Sequence, residues 1–263
     1  MISVENIYKT FNKNTVLENP VLRGLSLSLD SGEFACIIGS NGAGKSSLLN
    51  AIAGEISLDS GCIKLDGEDI NSLNLREKTR KVARVFQDPL AGTCPTLTIA
   101  ENLSLAMKRG GRRRLFPAVK SRYLKRFKDN LALLNLGLEN RLDDKMGLLS
   151  GGQRQAVSLL MASLRPSSIL LLDEHTAALD PKTAAFVLDL TKNIVEEKKL
   201  TTLMITHSMQ QALDYGSRTI MLHQGKVVFD IDKEKRKNLK VADLLALFER
   251  ENKDFISDKL IFA

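Results

Sequence analysis

The run Phe34-Ala35-Cys36-Ile37-Ile38 leads directly into Gly39-Ser40-Asn41-Gly42-Ala43-Gly44-Lys45-Ser46, and Leu48, Leu49, Ile52 and Ala53 then recur at helical spacing as far as Gly54. An unbroken apolar run between Gly32 and Gly39 is the pattern of a buried strand. The spacing beyond Lys45 predicts a helix that Gly54 stops. Glycines between the two let the backbone curl so that its N–H groups point inward, and the start of the helix adds partial positive charge. Strand, glycine-rich turn and helix in that order make a seat for phosphate.

Outward from this stretch the alternation returns. Ile169-Leu170-Leu171-Leu172 and Leu203-Met204-Ile205 are further apolar runs, the first preceded by a helix-like stretch that ends before Pro166. Strands alternating with helices imply crossovers and a parallel sheet covered on both faces. Thr219-Ile220-Met221-Leu222 and Lys226-Val227-Val228-Phe229 flank Gln224-Gly225 as a hairpin would, and residues 241–250 read as a closing helix. Between 89 and 147 the pattern changes: Leu124, Phe127, Leu131 and Leu134 share one helical face and no strand pattern occurs. The expected fold is α/β. Residues 1–88 and 148–263 form a single core with a parallel sheet and an N-terminal antiparallel β region, and residues 89–147 form an inserted helical subdomain.

Composition sets the class. With 263 residues, 43% hydrophobic and 26% charged, the chain reads as a soluble globular protein. Its longest apolar stretches fall well short of the roughly 18 residues that span a bilayer. Residues 1–11 lack a basic-then-apolar order, so secretion is not expected. Cys36, Cys62 and Cys94 are scattered without ligand spacing, which argues against a zinc site or a disulfide framework.

Residues 39–46 match the P-loop pattern, in which Lys45 reaches the β- and γ-phosphates and the Ser46 hydroxyl coordinates magnesium. The run ending in Asp173-Glu174 supplies the matching acidic strand: Asp173 can hold magnesium, and Glu174 can accept a proton from an attacking water. Together these imply a site for a nucleoside triphosphate with Mg2+.

Leu149-Ser150-Gly151-Gly152-Gln153 narrows the choice, and with it the sequence resembles the ATP-binding subunit of ATP-binding-cassette (ABC) transporters over nearly its whole length. The resemblance implies a P-loop NTPase core that binds ATP and hydrolyses it. It makes Phe11 the aromatic that stacks on adenine, and Gly39, Ser40, Asn41, Gly42, Ala43, Gly44, Lys45, Ser46 and Ser47 the nucleotide-binding loop. Ser150, Gly151, Gly152 and Gln153 become the signature, Asp180 in Ala178-Leu179-Asp180 the D-loop, and His207 in Ile205-Thr206-His207 the switch histidine at the γ-phosphate. Gln87 senses magnesium and the attacking water, so Glu174, His207, Gln87 and Lys45 form the catalytic set and Ser46, Gln87 and Asp173 the magnesium set. The family's two cassettes meet head-to-tail, each signature completing the partner's site. A second copy, membrane permease subunits and a lipoprotein or periplasmic substrate-binding protein are therefore implied, with the chain peripheral at the cytoplasmic face of the membrane.

Two positions depart from the usual pattern. His175 stands where proline is common and Ser47 where threonine is; His175 reads as filling its loop without a catalytic role. The run 173–181, together with 201–207, resembles an importer branch with aromatic amino acids among its proposed cargo, so a small molecule such as an amino acid is expected. The alternative is a soluble single-cassette ATPase of the iron–sulfur assembly type. Nucleic-acid-directed members need a long coiled coil or a second cassette, neither of which the sequence carries, and no nucleic acid is expected.

The formal charge of +7 has one source. Lys108, Arg109, Arg112, Arg113, Arg114, Lys120, Arg122, Lys125, Arg126 and Lys128 fall within residues 108–128 with no acidic residue between them, and without them 28 basic residues face 31 acidic ones. This segment is either a solvated helix face or a contact for a permease or anionic lipid headgroups, where each charge adds roughly 1 kcal/mol.

Overall fold

The computed structural model describes residues 1–111, 119, 121–236 and 239–251, the last four by backbone alone. In chain order its elements are β1 (Ile2–Phe11), β2 (Asn19–Leu29), β3 (Phe34–Ile38), α1 (Lys45–Ile52), β4 (Ser60–Leu65), β5 (Glu68–Asp69), α2 (Leu75–Lys81), β6 (Val82–Val85), α3 (Ile99–Met107), α4 (Ser121–Ala132), α5 (Gly151–Ser163), β7 (Ile169–Asp173), α6 (Pro181–Lys198), β8 (Thr202–Ile205), α7 (Met209–Asp214), β9 (Arg218–His223), β10 (Lys226–Ile231), α8 (Lys233–Arg236) and α9 (Val241–Glu251). They group into two compact units, one of Met1–Asn74 with the described part of Lys199–Ala263, the other of Leu75–Lys198.

In the first unit β2, β1, β4 and β5 form an antiparallel sheet in that order. Along β2, Leu22, Leu25, Leu27 and Leu29 are buried while their neighbours are exposed or half-buried, as befits a sheet with one dry face. A second sheet runs β10-β9-β3-β8, with β3 parallel to both β8 and β9 and β10 antiparallel to β9. Every residue of β3 and of β8 is buried, which explains their uninterrupted apolar runs. The β9–β10 turn is Gln224-Gly225, both at positive φ (46° and 77°), the backbone a two-residue hairpin requires.

In the second unit β6 and β7 pair in parallel, Val82 to Ile169 through Val85 to Leu172. Phe127, Leu131 and Leu134 are buried from α4 and the turn after it, whereas Leu124 is half-buried. Two arginines cross-cap two helix ends. Arg109 donates to the carbonyls of Ala162 (3.1 Å), in the last turn of α5, and of Arg165 (3.3 Å) just after it, and Arg165 donates to those of Met107 (3.4 Å), the last residue of α3, and of Arg109 (2.8 Å) just after it. These are carbonyls a helix leaves without partners, and cations are favoured there. Arg109 is thereby spent on internal bonds, and burial pushes its pKa down. Of the basic segment, Arg112, Arg113, Arg114 and Lys120 lie outside the described residues.

Candidate functional site

The phosphate-seat residues of the first unit lie at one edge of its parallel strands. Ile37 of β3 pairs with Ile205 of β8, so Gly39 and His207 each leave their strand two residues beyond a shared rung. Gly44, the residue before α1, has φ 97°, and a Cβ there would lie 2.7 Å from the Val21 carbonyl oxygen. Only glycine allows both that conformation and that approach. No side chain caps α1, and its first turn holds no acidic residue. The N–H groups at the start of a helix suit an anion. Lys45 is 5% exposed, and its ammonium donates to the carbonyls of Gly39 (2.7 Å) and Ser40 (3.0 Å). Ser46, Asn41 and Gly42 are exposed, Ser47 is half-buried, and Ala43 packs inside.

His207 is held from both sides. The Thr206 N–H donates to the Ile37 carbonyl (3.1 Å), and its hydroxyl donates to Gln211 Oε1 (2.6 Å) while accepting from the Ser208 N–H (3.1 Å). Ser208 in turn caps α7 by accepting from the Gln211 N–H (3.2 Å). Phe11 ends β1 opposite Asn19, 36% exposed, with the Lys9 ammonium 5.4 Å from its ring centroid. An aromatic at a strand end, partly exposed in this way, is of the kind that can stack on a base.

The second unit repeats the strand-edge arrangement. Val85 of β6 pairs with Leu172 of β7, so Gln87 and Glu174 each follow their strand two residues beyond that rung. Asp173 closes β7, and its carboxylate takes a 2.6 Å ion pair from Arg84 of β6. Glu174 sits at φ 45°, a left-handed conformation that costs a non-glycine residue about 1–2 kcal/mol. The Ala177 N–H donates to its carbonyl (2.9 Å), fixing the turn. His175 is 2% exposed, its Nε2 3.0 Å from the Thr191 hydroxyl of α6, and burial pushes its pKa down to about 4. Buried Gln155 donates to the carbonyl of Phe86 (3.1 Å), the residue before Gln87.

Ser150 caps α5 reciprocally: its hydroxyl accepts from the Gln153 N–H (3.2 Å) and the Gln153 side chain accepts from the Ser150 N–H (3.2 Å). Gly151 and Gly152 open the helix against residues 179–183. A Cβ at Gly152 would lie 2.1 Å from Thr183 Cγ2, and one at Gly151 3.4 Å from Leu179. Asp180 caps α6 by accepting from the Thr183 N–H (3.1 Å), and bonding to Thr183 holds its carboxyl below the usual range. The signature and the Asp180 loop are thus packed together.

Each unit therefore collects its own share of the expected residues: 39–47, His207 and Phe11 in the first, Gln87, Asp173, Glu174, Ser150–Gln153 and Asp180 in the second. Sequence reasoning assigned nothing to Arg84, Gln155 or Thr191. A lone arginine within the apolar run Val82-Ala83-Arg84-Val85 was the one visible signal among them.

The donor chemistry fits magnesium. A serine hydroxyl and a carboxylate are hard oxygen ligands, and Mg2+ is commonly held by one or two protein groups with the rest supplied by phosphate and water. Among the described residues no group of three or more His, Cys, Asp or Glu side chains is placed to hold a metal ion.

Residues 22–177 match a family model described as ABC transporter. The chain is 47% identical over 249 residues to a tyrosine transport ATP-binding protein of Clostridioides difficile (strain R20291), covering 95% of this chain and 99% of the relative. It is 36% identical over 237 residues to a phosphonates import ATP-binding protein of Lactococcus lactis subsp. cremoris (strain SK11), covering 88% and 92%. Among solved structures, a dimeric ATP-binding cassette in a post-hydrolysis state with ADP and Pi superposes with a TM-score of 0.75 at 30% identity, over 89% of this chain and 99% of that one.

Proposed function

Because the chain belongs to the ABC transporter family and is an ATP hydrolase coupled to transport, we propose that it powers uptake of a small molecule through a separate permease. The observation that carries the reading is the α1 terminus, whose N–H groups no side chain caps beside a buried lysine ammonium. The importer reading draws on the import relatives, and an amino acid, aromatic in kind, is the cargo suggested by the tyrosine transport relative.

Phosphoryl transfer to water needs positioning and charge neutralisation more than covalent chemistry. On binding ATP, Lys45 exchanges the carbonyls of Gly39 and Ser40 for phosphate oxygens, and the α1 N–H groups take the anion. Phe11 stacks on the adenine. Ser46 and Asp173, with Gln87, would hold Mg2+, which supplies neutralising charge at the β- and γ-phosphates. Glu174 accepts the proton of the attacking water, Gln87 and Asp180 place that water, and His207 donates to the γ-phosphate. Ser150 and Gly152 act on the nucleotide of a second copy, so the working unit is a head-to-tail dimer; the dimeric cassette structure supports that reading. Residues 89–147 are the segment we assign as the helical subdomain facing the permease.

Among the described residues no helix is long and apolar enough to cross a membrane. Association is then peripheral, through the permease at the cytoplasmic face, with a lipoprotein or periplasmic binding protein delivering cargo and the 108–128 basic segment touching anionic lipid. Detergent pull-down of the chain from its native membrane tests the assembly. Copurification of a permease and an amino-acid-binding protein supports it; recovery with iron–sulfur assembly proteins alone refutes it.

A further inference from the structure

The ion pair at the end of β7 is unusual in its chemistry. Asp173 is the carboxylate assigned to magnesium, and its Oδ2 lies 2.6 Å from Arg84 Nη2. Both side chains are largely buried, 11% exposed for the arginine and 14% for the aspartate. A charge-assisted bond of that length is among the stronger polar contacts. A doubly charged cation cannot join the carboxylate without repelling the guanidinium beside it. The same guanidinium also lies on Phe86: its carbon stands 4.7 Å from the centroid of that ring, a cation–π contact made together with the ion pair. Phe86 immediately precedes Gln87, and its carbonyl is held by Gln155.

We propose that Arg84 is a placeholder cation for Asp173, neutralising the carboxylate until magnesium arrives with the nucleotide and then giving up the carboxylate while keeping its contact with Phe86. The inference rests on the reading of Asp173 as a magnesium-holding residue. Arg84 is a positioning residue here, since it acts through Asp173. It has two linked effects. Metal-free nucleotide is tolerated, because the triphosphate does not meet a bare carboxylate, and the affinity gained when metal is added is reduced, because one cation must displace another. The displaced charge also stays on the segment that carries Gln87, so metal occupancy is registered there.

The test is titration of the full chain with a fluorescent ATP analogue, in EDTA and in saturating Mg2+, taking the ratio of the two dissociation constants. Arg84→Met should raise that ratio about tenfold over the wild type, as expected for loss of a competing, partly buried ion pair. Arg84→Lys keeps a weaker, point-like charge and should raise it about threefold. Circular dichroism verifies that each variant is folded. If Arg84→Met does not fold, the lysine variant carries the test alone. A ratio unchanged or lowered in the folded arginine variants overturns the placeholder role. Asp173→Asn separates the two layers: it should lower the ratio, and an unchanged ratio there removes the magnesium reading itself and the inference with it.

Discussion

Acidification should destabilise this protein by about 3 kcal/mol through one imidazole, that of His175. The ring is 2% exposed. Its Nε2 lies 3.0 Å from the Thr191 hydroxyl, which itself donates to the Val187 carbonyl at 2.7 Å. A hydroxyl has one hydrogen to give, so Nε2 must be the donor. Burial then holds the pKa at about 4 against 6.5 for the free side chain. Above the unfolded value both states carry a neutral ring and the full stability is present. As pH falls from 6.5, the unfolded chain takes up a proton that the folded one refuses, and stability drops until about pH 4, where the folded ring also protonates. A gap of roughly two and a half units corresponds to about 3 kcal/mol. The assay is urea unfolding of the full chain at a series of pH values, for the wild type and for His175→Gln, which keeps a donor and does not titrate. Packing differences shift the variant's curve by a constant, and other titrating groups cancel in the difference. That difference should move by 2–3 kcal/mol in favour of the variant between about pH 7.5 and pH 4.5. Parallel curves would refute the buried neutral imidazole.

The packing of the signature against α6 gives a change of sign. Gly152→Ala places a methyl group 2.1 Å from Thr183 Cγ2 and should destabilise by about 1–3 kcal/mol. In a Thr183→Ser background that methyl is gone, and the same substitution should stabilise by up to about 1 kcal/mol through helix propensity; additive effects in denaturation midpoints would contradict the contact. Glu174→Gln should lower ATP turnover by at least about a hundredfold, the scale of a general base, while ATP binding persists and dimers accumulate in ATP on gel filtration. Near-normal turnover would remove Glu174 from the role.

Much of this was legible because local pattern and local chemistry coincide. The run 34–54 carries its strand, turn and helix signals within twenty-one consecutive residues, and the Gln224-Gly225 hairpin announces itself by a glycine between two apolar runs. The limits of the N-terminal sheet were harder to read. β1 begins with buried Ile2 and Val4, but Asn6 at φ 48° interrupts the ladder, and Ile7 resumes it out of step. A bulge breaks the period of two on which strand recognition depends. Leu124 fell only partly inside because helical spacing predicts a face and not how deeply each residue on it is covered. The contacts that tune the site are distant in sequence. Arg84 meets Asp173 across 89 residues and His175 meets Thr191 across 16, and no periodicity encodes either. The left-handed turn at Glu174 is equally silent, since glutamate carries no mark of it.

The central claim is that each ATP site is completed by a second copy of the chain, and mixing two disabled variants in the reconstituted transporter tests it directly. Lys45→Ala disables the phosphate seat and leaves the signature; Ser150→Arg obstructs the signature and leaves the phosphate seat. Each alone should lose ATP turnover by at least about a hundredfold. A mixed dimer regains one intact site, formed by Lys45 of one copy and Ser150 of the other, so mixing should restore a substantial fraction of wild-type hydrolysis. No recovery in verified mixed dimers would contradict the composite site.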